Sequence, residues 1–133
     1  MSLSYNFSVM EKLILLIISG ALGTLSRYAV SSMIGQSFES RFPWGTFVIN
    51  VLGCFFIGFF AAMSESRFPL SANMRLFIMV GFLGAFTTFS TFMLETATLI
   101  KGEVLILAFA NVFASLVVGW LLFRLGMFLA TLM

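Results

Sequence analysis

The sequence predicts an all-α integral membrane domain with four transmembrane helices, and three observations carry that reading. Of the 133 residues, 61% are hydrophobic and 9% are charged, and the mean hydropathy is +1.13. A soluble domain this small has no interior large enough for so much apolar surface. The apolar residues fall into four runs, near 12–34, 44–63, 75–99 and 103–132. Each reaches the roughly 20 residues that cross ~30 Å of hydrocarbon as a helix. The runs are separated only by GQSFESRFP, SESRFPLSANM and KG. Residues 1–133 therefore read as one domain, with no room for a soluble domain, a nucleotide-binding loop or a linker.

The first run is a retained helix rather than a cleaved signal. Its apolar stretch is long, it carries Arg27 and Tyr28, and no small-residue cleavage site precedes the second run. Gly20, Gly23 and Ser26 lie just before Arg27. Residues three and four apart share a helix face. In the second run that spacing gives a stripe of Thr46, Asn50, Cys54 and Gly58, and in the fourth a stripe of Asn111, Ser115 and Gly119. Small residues let helix backbones approach closely in lipid, which accounts for the glycines, alanines and serines by packing alone. Asn50 is a different case, because an amide in a span needs a partner or water. It is either interhelical glue or part of a polar pathway.

The third run holds the least expected stretch, GFLGAFTTFSTF at 81–92, and below it Glu95. Gly84, Thr88, Thr91 and Glu95 form a stripe of their own. Thr87, Thr88, Ser90 and Thr91 put four hydroxyls in five positions. A hydroxyl in a membrane helix ordinarily bonds a carbonyl one turn back. Such crowding after Gly81 and Gly84 predicts instead a helix that is broken near its middle, its freed backbone groups satisfied by neighbours. Broken helices at mid-membrane recur where ions or substrates bind. Phe89 and Phe92, three apart, flank Ser90 and Thr91, and an aromatic ring has a positive edge that an anion can approach. Lipid-facing packing is the plainer role for any one of 18 phenylalanines. A path of amide, hydroxyls and ring edges suits a small anion, and Arg27 and a pI of about 9.1 add attraction for one.

Charge and composition exclude other classes. There is no His, and the single cysteine, Cys54, cannot form a disulfide within the chain. A transition-metal centre or a covalent enzyme lacks its parts, so the protein is expected not to be an enzyme. With four spans both termini share one side, together with Lys12, Arg67, Arg75 and Arg124, while Arg27, Arg41 and Lys101 fall on the other. The positive-inside rule weighs such residues in short loops, and here the two sides nearly balance. The balance fits either a weak single orientation or dual topology, in which an antiparallel dimer can form.

GALGTLSRY at 20–28, WGTFVIN with Gly53 three residues on, and GFLGAFTTFSTF followed by Glu95 resemble, in order and spacing, the Fluc family of small fluoride channels. The resemblance covers all four spans. Ala85 stands where many members have a second glycine, and Ser19 and Thr24 vary the first motif. It implies a channel that passively exports cytoplasmic fluoride through two pores of an antiparallel, dual-topology homodimer in the cell (inner) membrane of a prokaryote. By the same resemblance, Phe89 and Phe92 would meet fluoride with their ring edges and Asn50 would be the pore amide donor. Ser90, Thr91 and Ser115 would supply hydroxyls, and Glu95 would sit towards one pore end. Carbonyls near Gly84 and Thr87 would hold a structural sodium ion on the dimer axis, and Arg27 would face the vestibule or support the break. The partners implied are a second copy, fluoride and lipid, with no nucleic acid.

Two readings compete. A small multidrug exporter shares the size and the antiparallel dimer, but its proton coupling needs a carboxylate deep in the first helix. The only acid there is Glu11, beside Lys12 at the helix start. A non-transporting assembly subunit needs small-residue faces but has no use for TTFSTF or Asn50.

Overall fold

In lipid a backbone must satisfy its own hydrogen bonds, so apolar runs of this length fold as helices even where Phe, Val and Ile abound. A computed structural model describes residues 2–38, 40–65 and 70–133, with side chains from Ser8 onward; Arg67, counted above in the charge balance, lies outside the described residues. Four helical spans are long and apolar enough to cross a membrane: Ser8–Ser37, Trp44–Ser64, Ala72–Lys101 and Leu105–Thr131. No strand occurs among the described residues. The protein is an all-α, multi-pass membrane protein.

Helix α1 runs Ser2–Ser37, beginning earlier than its apolar stretch. Helix α2, Trp44–Ser64, starts from Pro43, whose carbonyl accepts the Phe47 N–H at 3.0 Å. Proline is cheap at a helix start because the N–H it lacks would have no partner there. The third span is composite. Ser71 caps α3 (Ala72–Arg75) by accepting the Met74 N–H at 3.2 Å. The chain then winds as a π-helix over Leu76–Leu83, returns to α4 (Gly84–Phe86), and resumes after two extended residues as α5 (Phe89–Lys101). Helix α6 spans Leu105–Thr131. It begins later than the apolar run because Glu103 takes a left-handed φ of 57°, which no helix continues.

Packing divides the third span at its interruption. Helix α1 lies against the π-helical segment and α4, while α5 leans mainly on α6. On the first side a Cβ at Gly23 would strike the Phe82 carbonyl, and one at Gly81 would strike Ser19. Ser19 is fully buried and donates its hydroxyl to the Leu15 carbonyl at 2.7 Å. The longest packed pair is α2 with α6, where the backbone of one helix sits directly against glycine of the other. Large apolar side chains elsewhere point outward, as lipid allows.

Candidate functional site

The interruption is where polar groups converge. Thr87 (φ −86°, ψ 160°) and Thr88 (φ −151°, ψ 117°) are extended, so the chain leaves the helix for two residues. Ending one helix and starting another inside a membrane frees backbone donors and acceptors that must find other partners. Asn50 on α2 supplies two at once. Its Oδ1 accepts the Thr88 N–H at 2.8 Å and its Nδ2 donates to the Thr88 carbonyl at 2.9 Å. A primary amide offers a donor and an acceptor side by side, which match the N–H and C=O of one extended residue, and that is why Asn suits this place.

The hydroxyls divide their work. Thr87 Oγ1 follows the ordinary course and donates to the Leu83 carbonyl at 3.0 Å. Thr88 instead caps α5: its Oγ1 accepts the Thr91 N–H at 3.2 Å and donates to Thr91 Oγ1 at 2.9 Å. Ser90 Oγ stands 3.4 Å from the same Thr88 oxygen. Room for the extended residues comes from Gly53, since a Cβ there would collide with the Thr87 methyl.

Two cavities meet at this interruption. A groove of about 370 Å³ is lined by Asn50, Thr88, Phe89, Phe92 and Ser115, with Cys54 and Gly84 also on its wall. No lining residue carries a charge. The Phe89 and Phe92 rings lie 5.8 Å apart at 36°. Phe92 is 9% exposed whereas Phe89 is 75% exposed. Ser115 Oγ is shielded from solvent and has no hydrogen-bond partner. On the other side, a cleft of about 360 Å³ is lined mostly by hydroxyls and by Arg27, with Thr88 and Thr91 in its wall. Thr88 thus belongs to both.

Arg27 opens onto the cleft and also reaches the interruption, with Nη1 3.5 Å from the Thr87 carbonyl. Thr46, also in the cleft, donates to Glu95 Oε1 at 2.8 Å, while Glu95 Oε2 is buried without a partner. Of the expected pore residues, Asn50, Phe89, Phe92 and Ser115 share the groove and Thr91 lies in the cleft. Ser90 and Glu95 line neither of these two cavities. Sequence reasoning did not foresee the two-pronged bond from Asn50 to a backbone 38 residues away, nor Thr88 as helix cap. The N-cap signal was legible in principle, as a Thr before a fresh helical run.

Among the described residues no three His, Cys, Asp or Glu side chains gather. The oxygens on offer to a cation at the interruption are backbone carbonyls and Ser or Thr hydroxyls. Thr88 gives its N–H to Asn50 instead of to the carbonyl of Gly84, four residues back, so the interruption can turn carbonyls of its first half outward. That donor set fits a hard, weakly bound cation.

Such a site, at a break in a mid-membrane helix of a four-span protein, belongs to a membrane transport protein. The family described as "CrcB-like protein, Camphor Resistance (CrcB)" matches residues 14–127. A relative from Desulforapulum autotrophicum is 42% identical over 86% of this chain and 98% of its own length. One from Methylobacterium radiotolerans is 46% identical over 85% of this chain and 80% of its own. One from Dehalococcoides mccartyi is 37% identical over 93% and 95% respectively. All three are named fluoride-specific ion channel FluC. The chain belongs to the CrcB family.

Proposed function

We propose that this chain is a fluoride-selective channel that lets cytoplasmic fluoride leave the cell passively, through two pores of an antiparallel homodimer. The observation that carries the reading is the groove wall. It combines an amide, hydroxyls and two phenylalanine rings and holds no charged side chain. Fluoride is small and strongly hydrated, and it enters only where donors replace its water. One of the two Asn50 amide hydrogens is held by Thr88, which leaves the other for an anion. Ser115 Oγ, without a partner, can turn its O–H to the same place. The edges of Phe89 and Phe92 add weaker contacts, and Arg27 draws anions towards the cleft on the far side of Thr88. The fluoride-channel names of the bacterial relatives agree with this chemistry.

Incompleteness of the groove supports the dimer. A ring that is 75% exposed in one chain closes no pore by itself, and a second copy would supply the missing wall. The near-balanced charges allow that copy to insert the other way up. The carbonyls of Gly84 and Thr87, from both copies, would hold a structural sodium ion, which when bound would offset the negative ends of those freed backbone dipoles.

Fluoride efflux from liposomes containing the purified protein tests the function. Efflux far above that of protein-free liposomes, with chloride retained, is expected. A protein that releases no fluoride, or needs a proton gradient to do so, would contradict the channel. A cysteine placed in the Lys101–Gly102 turn of a Cys54-free chain should react with an impermeant thiol reagent from both sides of the membrane. Reaction from one side only would end the dual-topology reading.

A further inference from the structure

Helix α5 carries both phenylalanines of the groove, and its rotation is set by neighbours rather than by the helix before it. Thr46 on α2 bonds Glu95, and α6 packs alongside. Helix α5 begins at Phe89 directly after two extended residues, so the first half of the third span cannot transmit its orientation through a continuous helix. Its principal neighbour is α6. Asn111 on α6 is 1% exposed and donates from Nδ2 to Thr96 Oγ1 at 2.9 Å. Among the described residues this is the one side-chain hydrogen bond joining α5 to α6. Thr96, 7% exposed, in turn donates its hydroxyl to the carbonyl of Phe92 at 2.8 Å. A buried amide in lipid is unfavourable unless paired, and a pair this deep fixes one rotation of a helix against its neighbour.

We infer that Asn111 and Thr96 are positioning residues for conduction: a relay from α6 through Thr96 to the Phe92 carbonyl that holds α5, and so both rings, at the groove. The inference rests on the channel reading above. It differs from simple satisfaction of a buried amide, and the difference is measurable. Removing one partner of a buried hydrogen bond leaves the other exposed to the full desolvation penalty, whereas replacing both by apolar groups of similar shape is close to neutral for stability. A purely structural pair would therefore be repaired by the double swap, and a positioning pair would not.

The test compares fluoride efflux from liposomes, per folded protein, for wild type, Thr96→Val, Asn111→Leu, the double variant and Thr96→Ser. Thermal stability is followed in parallel by gel filtration. Thr96→Val and Asn111→Leu should each lower both stability and flux. The double variant should regain near-wild-type stability while its flux stays down by roughly tenfold, the equivalent of one misplaced contact at the barrier. Thr96→Ser, which keeps the hydroxyl, should retain most of the flux. Wild-type flux from the double variant would overturn the inference while leaving the channel intact. So would a loss in Thr96→Ser as deep as in Thr96→Val, a result that does not depend on the double variant folding. No fluoride efflux from wild type would instead remove the channel reading, and this inference with it.

Discussion

Helices α2 and α6 and the two halves of the third span meet the same demand, burial in lipid, by opposite means. Where α2 crosses α6, Gly58 faces the Phe123 carbonyl and Gly126 faces the Phe55 carbonyl, so backbone lies on backbone. No side-chain hydrogen bond between these two helices occurs among the described residues, and none is needed, because regular helices satisfy themselves and attract one another by close packing. The third span gives up that regularity at Thr87 and Thr88. The freed groups are met partly by Thr88, which caps the second half, and partly from other elements, which draws Asn50 from α2 and Arg27 from α1. A regular pair assembles the protein. An irregular segment exposes oriented N–H, O–H and C=O groups that an ion can use, and it tolerates no loss of the partners that hold it.

Substitutions should separate the two regions. The largest effect is expected at Gly126. A Cβ there would overlap the Phe55 carbonyl and come within 2.9 Å of the Phe59 nitrogen, neither of which can swing aside. Gly126→Leu should exceed the ~1–3 kcal/mol usual for overpacking and leave little folded protein on gel filtration. A normal, monodisperse peak would show that this crossing is looser than described.

Asn50→Leu should do the reverse, leaving assembly and removing conduction. Both the N–H and the C=O of Thr88 lose their partners, at about 1–3 kcal/mol each. Fluoride flux should fall by roughly tenfold or more while the elution volume is unchanged. Unchanged flux would mean that the amide is interhelical glue and nothing else. Thr88→Ala should be milder, because the bonds from Asn50 use the Thr88 backbone and survive the change. The α5 cap is lost, worth about 1 kcal/mol, together with the hydroxyl bond to Thr91 Oγ1. Exchange of the Thr91 amide hydrogen, followed by magnetic resonance, should quicken by about fivefold, and no change there would deny Thr88 its capping role.

The contrast between the regions also governs what could be read from the sequence. Four spans follow from apolar runs, because in lipid length and hydropathy decide almost everything. The irregularity near Thr87 follows from seven small or hydroxyl residues crowded into positions 81–91, a local signal. Partners across helices leave no such trace. Asn50 shows its position in a stripe but not that it grips the backbone N–H and C=O of Thr88 in another span. Asn111 stands out as a polar residue in α6, whereas Thr96, its partner, looks like any helical threonine. The π-helical stretch LFIMVGFL, which packs against α1, is all but silent, for it is apolar throughout except for one glycine.

The claim at the centre is that fluoride passes along the interrupted third span and meets the edges of its rings. Phe89 and Phe82 lie on the same span, one on the groove and the other stacked on Phe86 at 5.9 Å and 8°. Phe89→Ile keeps the bulk and the hydrophobicity but removes the positive ring edge. Phe82→Ile makes the same exchange where only packing is at stake, and volume-conserving swaps of this kind cost under about 1.5 kcal/mol. Fluoride efflux from liposomes should slow by roughly tenfold or more for Phe89→Ile, a barrier increase of at least about 1.4 kcal/mol. It should stay within a few-fold of wild type for Phe82→Ile. Equal efflux from Phe89→Ile and wild type would contradict the account and take the pore off this face of the span.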